Sequence, residues 1–416
     1  MTRVNDSASK AVKSAQTRPR RLLLCLDGVP HKLIVAAKER GLFDAFGPPT
    51  RLLSPFPTMT NVALSAMFGA TPPAGYESLY FDRCAGEMRG GIRKYLGRRT
   101  PDKIPSSYMD NLDYQEPLMF EFLIYVAPES VWRADMQRFR ERFRAAPQNR
   151  DYFAFLKATD GLLHAQGPSR LNVALESLDK ILKEIQEHCG AETEIMLFSD
   201  HGMNLEENRR VPITEELRRR GFQVGSRLPN GNGRAVSIPA FGLCSYAAVY
   251  CGGEEFVPGA AQAITEIEGV DFVVYRDGSA VAVEGQRGSA RIDRRDDSYR
   301  YVNKRGDPLE LESVINSEGF VDDAVLFDKT NKHRYPDVLT NLYKSLFTPR
   351  VEHTADVLIS LKDGYYYGWS PFGRFVRLAA THGNALQSSS NAFLMSTHRN
   401  LPECVRADNA RELLVR

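Results

Sequence analysis

Three aspartates and three histidines carry the strongest chemical signal in this chain. Asp160 and His164 stand in D-G-L-L-H, Asp200 and His201 are adjacent in F-S-D-H-G-M, Asp27 closes the apolar run R-L-L-L-C-L-D, and His382 sits in T-H-G. An adjacent acid and imidazole followed by glycine suits a tight ligand turn. A D-x-x-x-H pair alone is weak evidence, and a single buried histidine more often serves as a hydrogen-bonded core residue. Together the six side chains suffice for two metal sites with mixed oxygen and nitrogen ligands.

A second constellation is P-T-M-T-N at 57–61, followed by V-A-L-S-A-M-F-G. The stretch 61–69 predicts a helix that ends at Gly69, with Thr60 as its N-cap. One role for Thr60 is then structural, a cap contributing about 1 kcal/mol. The other is chemical. A hydroxyl beside the free N–H groups and positive end of a helix is placed to attack a phosphoryl group.

These groups need a frame. R-L-L-L-C-L-D at 21–27, D-Y-F-A-F-L-K-A-T-D at 151–160 and T-E-I-M-L-F-S-D at 193–200 each predict a buried strand that ends in aspartate. Leu171, Leu175, Leu178, Leu182, Ile185 and Cys189 recur at spacings of four and three, the apolar face of a long helix. Strands alternating with helices predict an α/β fold with a largely parallel sheet. Ligands of such sheets sit at the C-terminal ends of the strands, where Asp27, Asp160 and Asp200 would point. From about 230 to 305, short strands with Gly and Asp turns predict an antiparallel insertion or lid, set within about 205–330. A helix near 336–347 and a strand at 356–361 return to α/β.

Composition fits an ordinary globular chain. Of 416 residues, 43% are hydrophobic and 25% charged, which excludes a disordered or collagen-like chain. The apolar runs are far shorter than the roughly 20 residues of a membrane-spanning helix. Six basic residues against one acid in the first 21 leave the remainder slightly acidic, so charge does not predict nucleic-acid binding. Residues 1–20 read as a disordered basic tail with no apolar secretory segment. The six cysteines form no C-x-x-C and read as free buried thiols. Both features predict a cytoplasmic protein.

Five blocks in order, L-D-G at 26–28, F-P-T-M-T-N at 56–61, D-G-L-L-H at 160–164, F-S-D-H-G-M at 198–203 and T-H-G at 381–383, resemble the alkaline phosphatase superfamily. The closest resemblance is to its type I phosphodiesterase/nucleotide pyrophosphatase branch. It implies an alkaline-phosphatase-like three-layer core over 21–416, with a mostly parallel central sheet and an inserted small β-rich lid. It also implies a metal-dependent phosphoester hydrolase with two divalent ions, usually Zn²⁺. By this resemblance Asp27, Asp200 and His201 hold one ion, which also binds Thr60, and Asp160, His164 and His382 hold the other. Thr60 is then the nucleophile and forms a phospho-threonine intermediate. The partner is a small-molecule phosphoester, with no nucleic acid expected and the oligomeric state open.

Sulfatases of this fold need C/S-x-P-x-R, and no cysteine here has that context. A phosphomonoesterase and a catalytically silent metal-binding relative are the alternatives. One departure bears on substrate. The branch places a phosphate-binding Asn about 20 residues beyond the nucleophile, and G-Y-E-S-L-Y-F-D-R at 75–83 has none. Asn61, Tyr80 and Arg83 are the candidates to take its place. Arg218–Arg220 read as a helix end, and Tyr365–Tyr367 with Trp369 as either packing or a pocket wall.

Overall fold

The computed structural model describes residues 20–91, 107–117, 120, 123, 124, 126–190, 192–228, 233–315, 319–368 and 377–415. The tail up to residue 19 and Trp369 lie outside the described residues. Arg20 is buried, its guanidinium 4.1 Å over the Phe143 ring.

The central sheet has seven strands, in the order Cys404–Arg406, Thr50–Leu53, Asn391–Ser396, Glu194–Phe198, Arg21–Leu26, Tyr152–Leu156, Tyr114–Gln115. All neighbours are parallel except the two pairs made by Asn391–Ser396. R-L-L-L-C-L, Y-F-A-F-L and E-I-M-L-F are buried on both faces, as a covered parallel sheet requires. Leu22, Leu24 and Leu26 pack under the helices His31–Glu39, Pro128–Ala145 and Pro168–Cys189. Leu23 and Cys25 face the helices Thr60–Phe68 and Ala407–Leu414 on the other side. The register pairs Cys25 with Phe198 and Leu26 with Leu156. Asp27 and Asp200 therefore emerge side by side.

Two expectations are corrected near the site. Residues 151–160 are not one strand. The strand stops at Leu156 and the helix Ala158–Gln166 begins, so Asp160 lies in the first helical turn, with His164 one turn on. Thr159 fixes this corner, its hydroxyl donating to the Asp27 carbonyl at 2.7 Å and to that of Leu156 at 3.1 Å. Thr60 is the first helical residue rather than the N-cap. Met59 takes the extended cap conformation (φ −119°, ψ 139°), so the Thr60 hydroxyl is not used as a cap.

A second sheet of nine strands runs from Gln223–Val224 to Val321–Asp322 in space and is antiparallel apart from one edge pair. The expected strand at 356–361 forms as Val357–Leu361. It lies in this second sheet, between Tyr246–Cys251 and Val270–Asp277. An apolar run predicts a buried strand but does not say which sheet buries it. Tyr366 and Tyr367 are packed in the strand Tyr365–Gly368, and Arg219 and Arg220 pair with Glu216 and Glu266. None of the six cysteines is in a disulfide; Cys25, Cys244 and Cys251 are buried and Cys84 is exposed. Among the described residues no helix is long and apolar enough to cross a membrane.

Asp135 on the Pro128–Ala145 helix is fully buried and accepts the Tyr114 hydroxyl at 2.5 Å. Burial, with the Glu116 carboxylate adding to it, pushes its carboxyl up to about 8. The unfolded chain ionises Asp135 near pH 4. Its contribution is fully present below that pH and is lost as pH rises through about 8. Asp135→Asn, which still accepts from Tyr114, is expected to be more stable than the native chain by a few kcal/mol at pH 8. The gap should narrow toward pH 4 in urea unfolding followed at both pH values.

Candidate metal centre and nucleophile

The strand ends of the central sheet, the first turns of two helices and the irregular segment that holds His382 bring the seven motif residues together. Thr60 Oγ1 donates to Asp27 Oδ1 at 3.3 Å and stands 3.3 Å from His201 Nε2. His201 Nε2 is 3.4 Å from Asp27 Oδ1 and 3.5 Å from Asp200 Oδ2. On the adjoining side, Asp160 Oδ1 lies 3.2 Å from His164 Nε2 and 3.7 Å from His382 Nε2. The rings of His201 and His382 stack at 3.9 Å and join the two halves. Thr60 and Asp160 are partly exposed and the other five are buried, so the cluster opens to solvent on one side.

All three imidazoles are oriented alike. Nδ1 lies 2.8 Å from the Ala380 carbonyl in His164, 2.9 Å from that of Gly202 in His201, and 2.8 Å from that of Thr58 in His382. A carbonyl only accepts, so Nδ1 carries the proton. In the neutral ring Nε2 then presents its lone pair to the centre, as a metal ligand requires.

The carboxylates fit a cation. Asp27 Oδ2, Asp160 Oδ1 and Asp200 Oδ2 are buried without a hydrogen-bond partner, a costly state unless something positive satisfies them. The donor atoms of Asp160, His164 and His382 lie within 4.8 Å of one another, as do those of Asp27, Asp160 and His201. Asp160 thus stands between the two halves, and Asp200 is held beside Asp27 by the Gly28 N–H at 3.1 Å.

Electrostatics agree. Burial, then the Asp200 and Asp160 carboxylates, push the Asp27 carboxyl well up, and burial raises Asp200. At Asp160 burial is outweighed by His164, His382 and His201, which hold it well below the usual range. Burial would lower His201, but Asp200 and Asp27 raise it to about 10. Burial and the nearby His201 push His382 well down. The cluster therefore draws positive charge to its centre, which a proton on His201 or a divalent cation would supply.

The substrate candidates separate. Asn61 follows Thr60 in the helix, and its Oδ1 accepts the Tyr108 hydroxyl at 2.8 Å. Arg83 donates to the Thr354 carbonyl and the Asp356 carboxylate, both at 2.6 Å. Tyr80 stacks on His353 at 5.7 Å. Glu77, in the same stretch, accepts the N–H groups of Phe241 and Gly242 and the Tyr246 hydroxyl. Motif reading missed Thr58, whose hydroxyl accepts the Gly383 N–H at 2.9 Å while its carbonyl holds His382. It lies two residues before Thr60, inside a motif already noted.

Gly28 is a further residue whose type is dictated. Its φ is +69°, and a Cβ would stand 2.9 Å from Asp160 Oδ1 and 3.3 Å from His201 Cε1. Gly28→Ala is expected to cost roughly 1–2 kcal/mol from the left-handed backbone alone. By crowding two of the clustered side chains it should also weaken binding of a divalent cation there about 10- to 100-fold, as a calorimetric titration would show.

The sequence profile of the type I phosphodiesterase/nucleotide pyrophosphatase family matches residues 84–375. That span holds Asp160, His164, Asp200 and His201, while Asp27, Thr60 and His382 lie outside it. No curated protein matches the chain. Among solved structures, phosphonoacetate hydrolase from Sinorhizobium meliloti 1021, in complex with phosphonoformate, is similar with a TM-score of 0.55 and 15% identity, over 96% of this chain and 95% of that one. Murine ectonucleotide pyrophosphatase/phosphodiesterase 5 gives a TM-score of 0.51 and 12% identity, over 95% and 94%. Its inactive threonine-to-alanine form, in complex with AMP, gives 0.50 and 12% over the same shares. At such identities the likeness is one of fold, and it agrees with the α/β architecture drawn from the motifs.

Proposed function

The chain belongs to the type I phosphodiesterase/nucleotide pyrophosphatase family and is a phosphoric ester hydrolase, and on that premise we propose that it cleaves phosphodiesters by double displacement through a phospho-threonine at Thr60. Asp27, Asp200 and His201 would hold one divalent cation, with Thr60 beside it, and Asp160, His164 and His382 a second. Zinc suits these mixed ligands. When bound, such a pair supplies Lewis acidity to the phosphoryl oxygens and lowers the pKa of hydroxyl and water.

The chain's own groups do the rest. Thr60 Oγ1 attacks phosphorus, and its proton passes to Asp27 Oδ1, the acceptor it already faces. The bond from phosphorus to the leaving oxygen breaks, and that oxygen takes a proton from solvent. N–H groups of the first helical turn, which lack intrahelical acceptors, bind the non-bridging oxygens. Water then attacks phosphorus and gives up one proton to solvent, the P–Oγ1 bond breaks, and Thr60 recovers a proton from Asp27. One ester bond and one water are consumed. The observation that carries this reading is Thr60 Oγ1 at 3.3 Å from both Asp27 Oδ1 and His201 Nε2, at a helix start beside orphaned carboxylate oxygens.

A diester is favoured over a monoester. A monoester dianion calls for added cationic contacts, and the Arg83 guanidinium is committed to Thr354 and Asp356. The AMP in the inactive murine neighbour supports a nucleotide phosphoester as the first class to try. The test is hydrolysis of bis-p-nitrophenyl phosphate beside p-nitrophenyl phosphate, with zinc added. The diester is expected to be cut faster. Faster monoester cleavage would make the protein a phosphomonoesterase, and no cleavage of either, or of a nucleotide diester, would favour a silent metal-binding relative.

A further inference from the structure

The imidazoles of His201 and His382 belong to opposite halves of the centre, yet they stack at 3.9 Å with ring planes 16° apart. Each stands at one end of a loop segment, and the two segments run antiparallel. Asn204 bridges to Thr381, and Asn208 to Leu378. Backbone bonds make these bridges, from Asn204 N–H to the Thr381 carbonyl at 2.8 Å and from Asn208 N–H to the Leu378 carbonyl at 3.0 Å.

Two buried side chains complete the pairing. Asn204 Oδ1 accepts the Thr381 N–H at 3.2 Å, which fixes which way its amide points. Its Nδ2 then donates to Asn208 Oδ1 at 3.1 Å, and Asn208 Nδ2 donates back to Asn204 Oδ1 at 3.0 Å. Asn208 Nδ2 also reaches the Glu206 carbonyl at 2.6 Å. The residues are 1% and 7% exposed. An apolar contact here would hold the segments together but would let them slide. A closed amide pair bonded to the neighbour of His382 allows one register only, because any slip leaves buried polar groups unpaired.

We propose that Asn204 and Asn208 are positioning residues, a clamp that sets the separation of His201 and His382 and thereby couples the two metal sites before any metal binds. This rests on the metal-centre reading above, and zinc titration of the native protein tests that reading separately. If the native protein binds no zinc, the metal reading falls. If it binds two equivalents, Asn204→Ala and Asn208→Ala are expected to weaken the second equivalent about 10- to 100-fold. They should also lower kcat with KM little changed and alter the visible spectrum of the cobalt-substituted protein. A merely structural role would lower the melting temperature and leave zinc affinity and the cobalt spectrum as they were, which would overturn the clamp.

Asn208→Ala removes only the outer half of the pair and serves if Asn204→Ala does not fold. Hydrogen exchange on the native protein decides the case without any variant. In EDTA the Thr381 and Asn204 amides should already be among the slowly exchanging ones. Protection that appears only after zinc is added would show that the metal orders the segments, and the clamp would be refuted.

Discussion

Thr60→Ala is expected to lower kcat on bis-p-nitrophenyl phosphate by at least about 10³-fold, since it deletes the attacking atom of a covalent mechanism. Thr60→Ser keeps a hydroxyl at the helix start and should retain activity within about tenfold. Stability separates this from the structural alternative. Were Thr60 an N-cap, alanine would cost about 1 kcal/mol and leave turnover intact. The cap conformation belongs to Met59, and the helix is held by the buried Val62, Leu64 and Met67. The urea midpoint of Thr60→Ala should therefore move little while its activity disappears. Steady-state kinetics and urea unfolding on the same preparations check both halves.

Metal removal should have the second large effect. EDTA is expected to abolish hydrolysis and to lower the melting temperature. With free zinc at 1,000 times its dissociation constant, one site stabilises by about 4 kcal/mol. For a chain of 416 residues, that is about 5 °C per site at an unfolding entropy of roughly 2 cal/mol/K per residue. Asp27→Asn sharpens the test. Asp27, Asp160 and Asp200 crowd one buried centre, and three close carboxylates repel in the absence of a cation. The variant should match or exceed the native chain in EDTA, by on the order of 1–2 kcal/mol, and should lose the zinc-dependent shift and the activity. This opposite response in stability and function marks a centre built for a ligand rather than for the fold. An unchanged melting temperature with zinc, in the native chain, would contradict the metal reading.

Much of the clustering of these side chains was legible in the sequence because the candidate ligands are tied to local patterns. Asp27 and Asp200 stand where apolar strands stop, and a parallel register brings such ends together. His201 is anchored by its neighbour Asp200, and His164 by a helical spacing of four. The corner at 156–160 is hidden in the sequence because D-Y-F-A-F-L-K-A-T-D is apolar enough to run on as a strand. The break is made by Thr159 bonding to Asp27, a partner 132 residues away. Val357–Leu361 reads as a buried strand in either sheet, and only its neighbours place it. Arg83 reads as a phosphate-binding candidate because its partners, Thr354 and Asp356, are more than 270 residues distant. Asn204 follows F-S-D-H-G-M directly and Asn208 four residues later, yet nothing local shows that they close on each other or that Asn204 bonds Thr381.

The covalent step is tested most directly by quenching the zinc-loaded native protein in acid during turnover of bis-p-nitrophenyl phosphate and mapping the peptide that spans residue 60 by mass spectrometry. The account predicts a p-nitrophenyl phosphoryl group on Thr60 that disappears when substrate is exhausted and is absent from Thr60→Ala. Steady turnover with Thr60 unmodified, at quench times shorter than one catalytic cycle, would contradict it and point to direct attack by water.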